Sequence, residues 1–104
     1  MARYRRWVFE ANATKDDFLR HLVRALGRRD VQVGAAKVFD VSVQGHGARG
    51  WIKVLHHPQG IDVILKEKGA LAGHGLADAV LEAGREAQSR ILFGEPKAPS
   101  EAGS

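Results

Sequence analysis

The sequence predicts an α+β two-layer sandwich in the order β-α-β-β-β-α, with about four mainly antiparallel strands and two helices on one face of the sheet. Three observations predict it: a capping signal at Thr14 followed by a helical apolar stripe, a central stretch of period two broken by two turns, and a second helical period after Leu76. The 104 residues, 44% of them hydrophobic and 27% charged, suit one globular core. A single domain over residues 1–94 is expected, with 95–104 as a disordered tail.

The first strand is expected over Arg3 to Glu10, where Arg5, Trp7 and Phe9 alternate with Tyr4, Arg6 and Val8. Both alternating sets carry apolar bulk, so the pattern does not say which one faces the core. The next segment supplies a helix start, since Thr14 can cap the first turn and Asp17, three residues on, can answer it as the acidic half of a capping box. Phe18, Leu19, Leu22, Val23 and Leu26 then fall on one side of a helix that ends around Gly27 to Arg29.

From Val31 to Lys68 the period is two. Phe39, Val41 and Val43 alternate with Val38, Asp40, Ser42 and Gln44, and a glycine-rich turn follows at Gly45–Gly50. The chain returns through Trp51 to His57 with Ile52 and Val54 inward, turns at Pro58-Gln59-Gly60, and runs out through Ile61, Val63 and Leu65. Short turns between these strands imply an antiparallel meander. A permissive stretch, Gly69 to Gly75, leads to a helix in which Val80, Ala83, Ala87 and Ile91 recur at helical spacing as far as Leu92. The far face of the sheet is expected to carry Val38, Leu55, Ile64 and one of the two tryptophans, as a ligand groove or a dimer interface would.

Composition removes several chemistries. With no cysteine there can be no disulfide, thiolate metal site or cysteine nucleophile. The apolar run Trp7-Val8-Phe9 behind the basic N-terminus is too short for a secretion signal, and no window is apolar enough to span a membrane, so a cytoplasmic protein without membrane contact is expected. No serine stands in a nucleophile-elbow setting, and the carboxylates of the second helix are spaced for ordinary helical pairing. No catalytic set, and no cofactor, can be named.

Of the histidines, His46 and His56 lie at opposite ends of one strand, more than about 20 Å apart, and the adjacent His56 and His57 point to opposite faces of it. His74 could approach His56 or His57 only if its loop folded back, so turn histidines are a simpler account than a metal site. Gly69, Gly73 and Gly75 precede a helix as in a phosphate-binding turn, but the Lys-Ser/Thr ending of a P-loop is missing.

The formal charge is +4, and the first 30 residues account for all of it: Arg3, Arg5, Arg6, Lys15, Arg20, Arg24, Arg28 and Arg29 outnumber Glu10, Asp16, Asp17 and Asp30 by that amount. Arg20, Arg24 and Arg28, spaced i, i+4, i+8, form a ridge opposite the apolar stripe. With Arg3, Arg5, Arg6 and Trp7 of the first strand they make a candidate nucleic-acid surface, in which arginines hold phosphates and an aromatic stacks on a base. The same ridge also serves as the solvated face of a surface helix, with Asp16 and Asp17 one turn away from Arg20.

The leading expectation is therefore a small basic non-enzymatic binding module for nucleic acid or another polyanion. Its alternatives are a homo-oligomeric assembly protein that uses the apolar sheet face and the small residues Ala77, Ala79, Ala83, Gly84 and Ala87, and a small-molecule carrier with a closed cavity at Trp51 or Phe39.

Overall fold

The computed structural model describes residues 2–69 and 75–94. The expected tail, the centre of the 69–75 glycine segment and His74 lie outside the described residues. The chain forms β1 (Ala2–Phe9), α1 (Lys15–Gly27), β2 (Gln32–Gly34), β3 (Val41–Gly45), β4 (Ala48–His57), β5 (Gly60–Gly69) and α2 (Gly75–Phe93). The α+β class holds, with five strands rather than about four, and every pairing is antiparallel in the order β1-β5-β4-β3-β2. The additional strand is β2, three residues that pair with Ser42 to Gln44.

α1 begins as the sequence implies, because the Thr14 hydroxyl accepts a hydrogen bond from the Asp17 amide at 3.1 Å. A Thr14→Ala variant is expected to lose about 1 kcal/mol in urea denaturation; an unchanged midpoint would show that the Asp17 amide is satisfied equally well by water. The buried side of α1 is Phe18, His21, Leu22, Ala25 and Leu26, rotated from the expected stripe so that Leu19 and Val23 stand only half-buried. α2 packs along α1, which explains the burial of His21 and Ala25. The reversal after α1 falls not at Gly27 but at Asp30, which takes the left-handed conformation (φ 59°) while the Val31 amide bonds back to the Leu26 carbonyl at 3.1 Å.

The β3–β4 and β4–β5 hairpins have two-residue turns, whereas residues 35–40 join β2 to β3. His46 (φ 54°) and Gly47 (φ 76°) are both left-handed, the mirror-image turn that matches the twist of paired strands, and they join Gly45 to its partner Ala48. Pro58 and Gln59 link His57 to its partner Gly60. Phe39 does not extend β3 as the period implied. The strand begins at Val41, and Asp40 is fastened to β4: its amide donates to the Ile52 carbonyl at 2.9 Å and its carboxylate accepts from the Val54 amide at 2.7 Å.

The core lies between the sheet and the helices. Phe9, Val43, Ile52, Val54, Ile61, Val63 and Leu65 face Phe18, Leu22, Leu26, Leu76, Val80, Ala83 and Ala87, all of them buried. The small residues of α2 are spent within this core, since Ala77, Ala79, Ala83, Gly84 and Ala87 are buried in the chain's own packing. α2 lies over β1 and β5, and α1 over β2 and β4, leaving the other face of the sheet uncovered by either helix.

Candidate nucleic-acid interface

The seven arginine and tryptophan candidates fall in three places, the two sides of β1 and the exposed side of α1. Arg3, Arg5 and Trp7 share the helix-facing side of β1 with Phe9, and Trp7 packs partly into the core. Arg6 projects from the opposite side of β1, with Tyr4 and Val8. Arg20, Arg24 and Arg28 run along the exposed side of α1, and it is α2 rather than α1 that covers β1. Ridge and first strand therefore do not form one surface.

Several of these arginines already have carboxylate partners. Arg20 reaches Asp17 at 3.4 Å. Arg28 hydrogen-bonds to Glu86 of α2, which Arg29 also meets at 2.8 Å and Arg90 at 3.2 Å. The Arg28 hydrogen bond pulls the Glu86 carboxyl down; burial opposes this, but Arg29 and Arg90 add to the pull and leave its pKa at about 2. Arg6 grips Asp62 with two nitrogens, at 2.6 and 2.9 Å, and Asp62 is buried beneath it.

The uncovered face of the sheet has another character. Register places Tyr4 of β1, Lys66 of β5, Trp51 of β4, Ser42 of β3 and Gly34 of β2 in one row across the strands. The next row toward the β3–β4 turn runs Ala2, Lys68, Arg49, Gln44, Gln32. Beyond the other side of the aromatic row lie Ile64 and Lys53, then Val8, Asp62 and Leu55. Of the expected outward set, Leu55, Ile64 and one tryptophan, Trp51, lie in these rows, whereas Val38 precedes β3 and lines the groove beside Trp51 from outside the sheet.

Three adjoining open grooves follow the first two rows. One of about 420 Å³ is lined by Lys37, Phe39, Trp51 and Lys66 among others. The second, about 310 Å³, continues past Trp51 over Ser42 and Gly34 to Gln32, Gln44 and Arg49. The third, about 520 Å³, shares Gln44 and Arg49 and ends at Gly47 and Lys68. Together they bring Lys37, Arg49, Lys66 and Lys68 to one surface with no Asp or Glu in the lining. Among the described residues these four cations make no ion pair. The space at Trp51 and Phe39 is an open groove, not the closed cavity a carrier would require.

Phe39 reaches this face because the 35–40 segment is anchored from both sides. Asp40 pairs with Lys15 of α1 at 2.9 Å, and Lys53 donates to the Val38 carbonyl at 3.2 Å. Burial would raise the Asp40 carboxyl, but the Val54 amide, Lys15 and Lys53 together hold it below the usual carboxylate range.

Lys37, Arg49, Lys66 and Lys68 were not singled out by sequence reasoning. The signal available was alternation: if Ile52, Val54, Ile61, Val63 and Leu65 face inward, then Arg49, Trp51, Lys66 and Lys68 face outward, and a two-residue turn at Pro58-Gln59 sets Trp51 opposite Lys66. Among the described residues no cluster of three or more histidines and carboxylates could hold a metal ion, and no helix is long and apolar enough to cross a membrane. No family model, curated protein or solved structure matches the chain.

Proposed function

We propose that the protein is a polyanion-binding module, with nucleic acid as its ligand, and that the open sheet face is its binding surface. The observation that carries this reading is the contrast between two sets of cations. Arg20 and Arg28 on the helical side are met by Asp17 and Glu86, whereas Lys37, Arg49, Lys66 and Lys68 line a continuous groove that contains no carboxylate. Cations held apart from acids on an open surface are available to phosphates, and each phosphate contact adds to the salt dependence of binding.

The test is a fluorescence-anisotropy titration of oligonucleotides at two salt concentrations. Arg49→Gln, Lys66→Gln and Lys68→Gln combined are expected to weaken binding and to flatten the slope of log K against log salt by about 2, near 0.7 for each phosphate contact removed from a single strand. An unchanged slope would sink the reading. The combined Arg20→Gln, Arg24→Gln and Arg28→Gln variant serves as the comparison; if it alone loses binding, the helix ridge and not the sheet is the surface.

Assembly is the second reading, and one observation favours it: Val8 and Leu55 stand 43% and 38% exposed on either side of Asp62, at the end of the same face away from the cations. Light scattering on the same samples separates the two. A dimeric mass that Val8→Ser and Leu55→Ser reduce to one chain would assign that end of the face to self-association.

A further inference from the structure

We propose that the row Tyr4, Lys66, Trp51, with Phe39 beside it, is a stacking platform for unpaired bases, so that the groove takes single-stranded rather than double-stranded nucleic acid; this rests on the polyanion reading above. The Lys66 ammonium lies 6.0 Å from the Tyr4 ring centroid, 6.0 Å from that of Phe39 and 5.7 Å from that of Trp51. Three aromatic rings around one cation on an open sheet face are not needed by the core, which lies on the other side. Tyr4 is 64% exposed there.

The register fixes what such a row can hold. Tyr4 and Trp51 both pair with Lys66, from strands on either side of β5. With neighbouring strands about 4.8 Å apart, the Tyr4 and Trp51 backbones stand about 10 Å apart across β5, and both rings lie within 6.0 Å of the one ammonium. Attachment points on the two strands flanking β5 suit two bases, one on each ring, with the phosphate that joins them over Lys66. The lysine thus has two partners in turn, the electron-rich ring faces when the groove is empty and a phosphate when it is filled.

Beyond Trp51 the row drops to Ser42 and Gly34, small residues that leave the far side of the indole open, flanked by the side-chain amides of Gln32 and Gln44. A strand continuing in that direction would find hydrogen-bonding groups for base edges and Arg49 for a further phosphate. A duplex could use the cations but not the rings, because its base faces are covered by one another.

The test compares three probes at equal salt: a single-stranded oligonucleotide of about 12 residues, in RNA and DNA forms, the corresponding duplex, and inorganic polyphosphate, which has charge but no bases. The single strand is expected to bind at least about tenfold more tightly than the duplex. Tyr4→Leu and Trp51→Leu should each lower single-strand affinity about tenfold and leave polyphosphate binding unchanged. Tyr4, being well exposed, can be replaced without disturbing the fold, so the result does not depend on Trp51→Leu folding. Equal affinity for duplex and single strand, or Tyr4 and Trp51 variants that bind like the parent, would overturn the stacking platform while leaving the polyanion surface standing. Failure of the parent protein to bind any of the three probes would overturn both.

Discussion

A Gly84→Ala variant will lose about 2 kcal/mol of stability and melt about 10 °C lower, even though alanine is the better helix former by about 1 kcal/mol. A Cβ at position 84 would stand 2.7 Å from Cε2 and 3.0 Å from Cε1 of Phe9, and closer still to Cζ. The ring cannot retreat. Phe9 is 5% exposed and lies against Phe18 with 5.8 Å between centroids, so any shift displaces the centre of the core. Adding Phe9→Leu should restore part of the loss, because the shorter side chain vacates the space the new methyl needs; the double variant would then be more stable than the two single losses summed predict. Urea denaturation of the four proteins measures this. A Gly84→Ala protein more stable than the parent would show that helix propensity, not packing against β1, governs the position.

The second expected result concerns acid. Glu86 joins α2 to Arg28 and Arg29 at the end of α1, and its pKa of about 2 in the folded chain lies well below the ordinary 4.5. Protonation therefore favours the unfolded chain: the stabilisation is complete above about pH 5 and is lost as pH falls towards 2. The partners are partly exposed, Arg28 at 46% and Arg29 at 28%, so solvent screening limits the effect to about 1–2 kcal/mol. Unfolding free energy measured from pH 7 to 2 should fall less steeply in a Glu86→Gln variant. The two proteins should differ most near neutrality and converge at the acid end. Parallel curves would mean that Glu86 contributes nothing specific to the helix pair.

These two positions also mark where the sequence was and was not legible. The Thr14 cap, the inward alternation of Ile61, Val63 and Leu65 and the Pro58 turn are encoded within a few residues, so the sequence reveals them directly. β2 is not, because Gln32-Val33-Gly34 offers a single apolar residue and cannot display a period. Phe39 fits the alternation of Val41 and Val43 but is drawn out of the strand by the side-chain bonds of Asp40, a competition that periodicity does not register. The candidate surface was half legible. The Trp51–Lys66 pair follows from one hairpin, but Tyr4 joins it only through the pairing of β1 with β5, more than 60 residues along the chain. The arginine ridge was visible as spacing alone, and spacing cannot show that Glu86 of a distant helix meets Arg28.

The pairing of β1 with β5 carries a consequence for how the molecule is made. β2 to β5 are joined to their neighbours through short local turns or loops and can pair as each leaves the ribosome. β1 is synthesised before all of them, yet Phe9 has no strand partner until Ile61 has emerged, and its ring is not enclosed until Gly84 follows. Until then an aromatic, β-prone segment lacks its partner strand, and its three arginines carry the like charge that disfavours pairing of such segments with one another. Arg3, Arg5 and Arg6 thus lie in the strand whose partner is furthest along the chain, where like charge opposes pairing between copies.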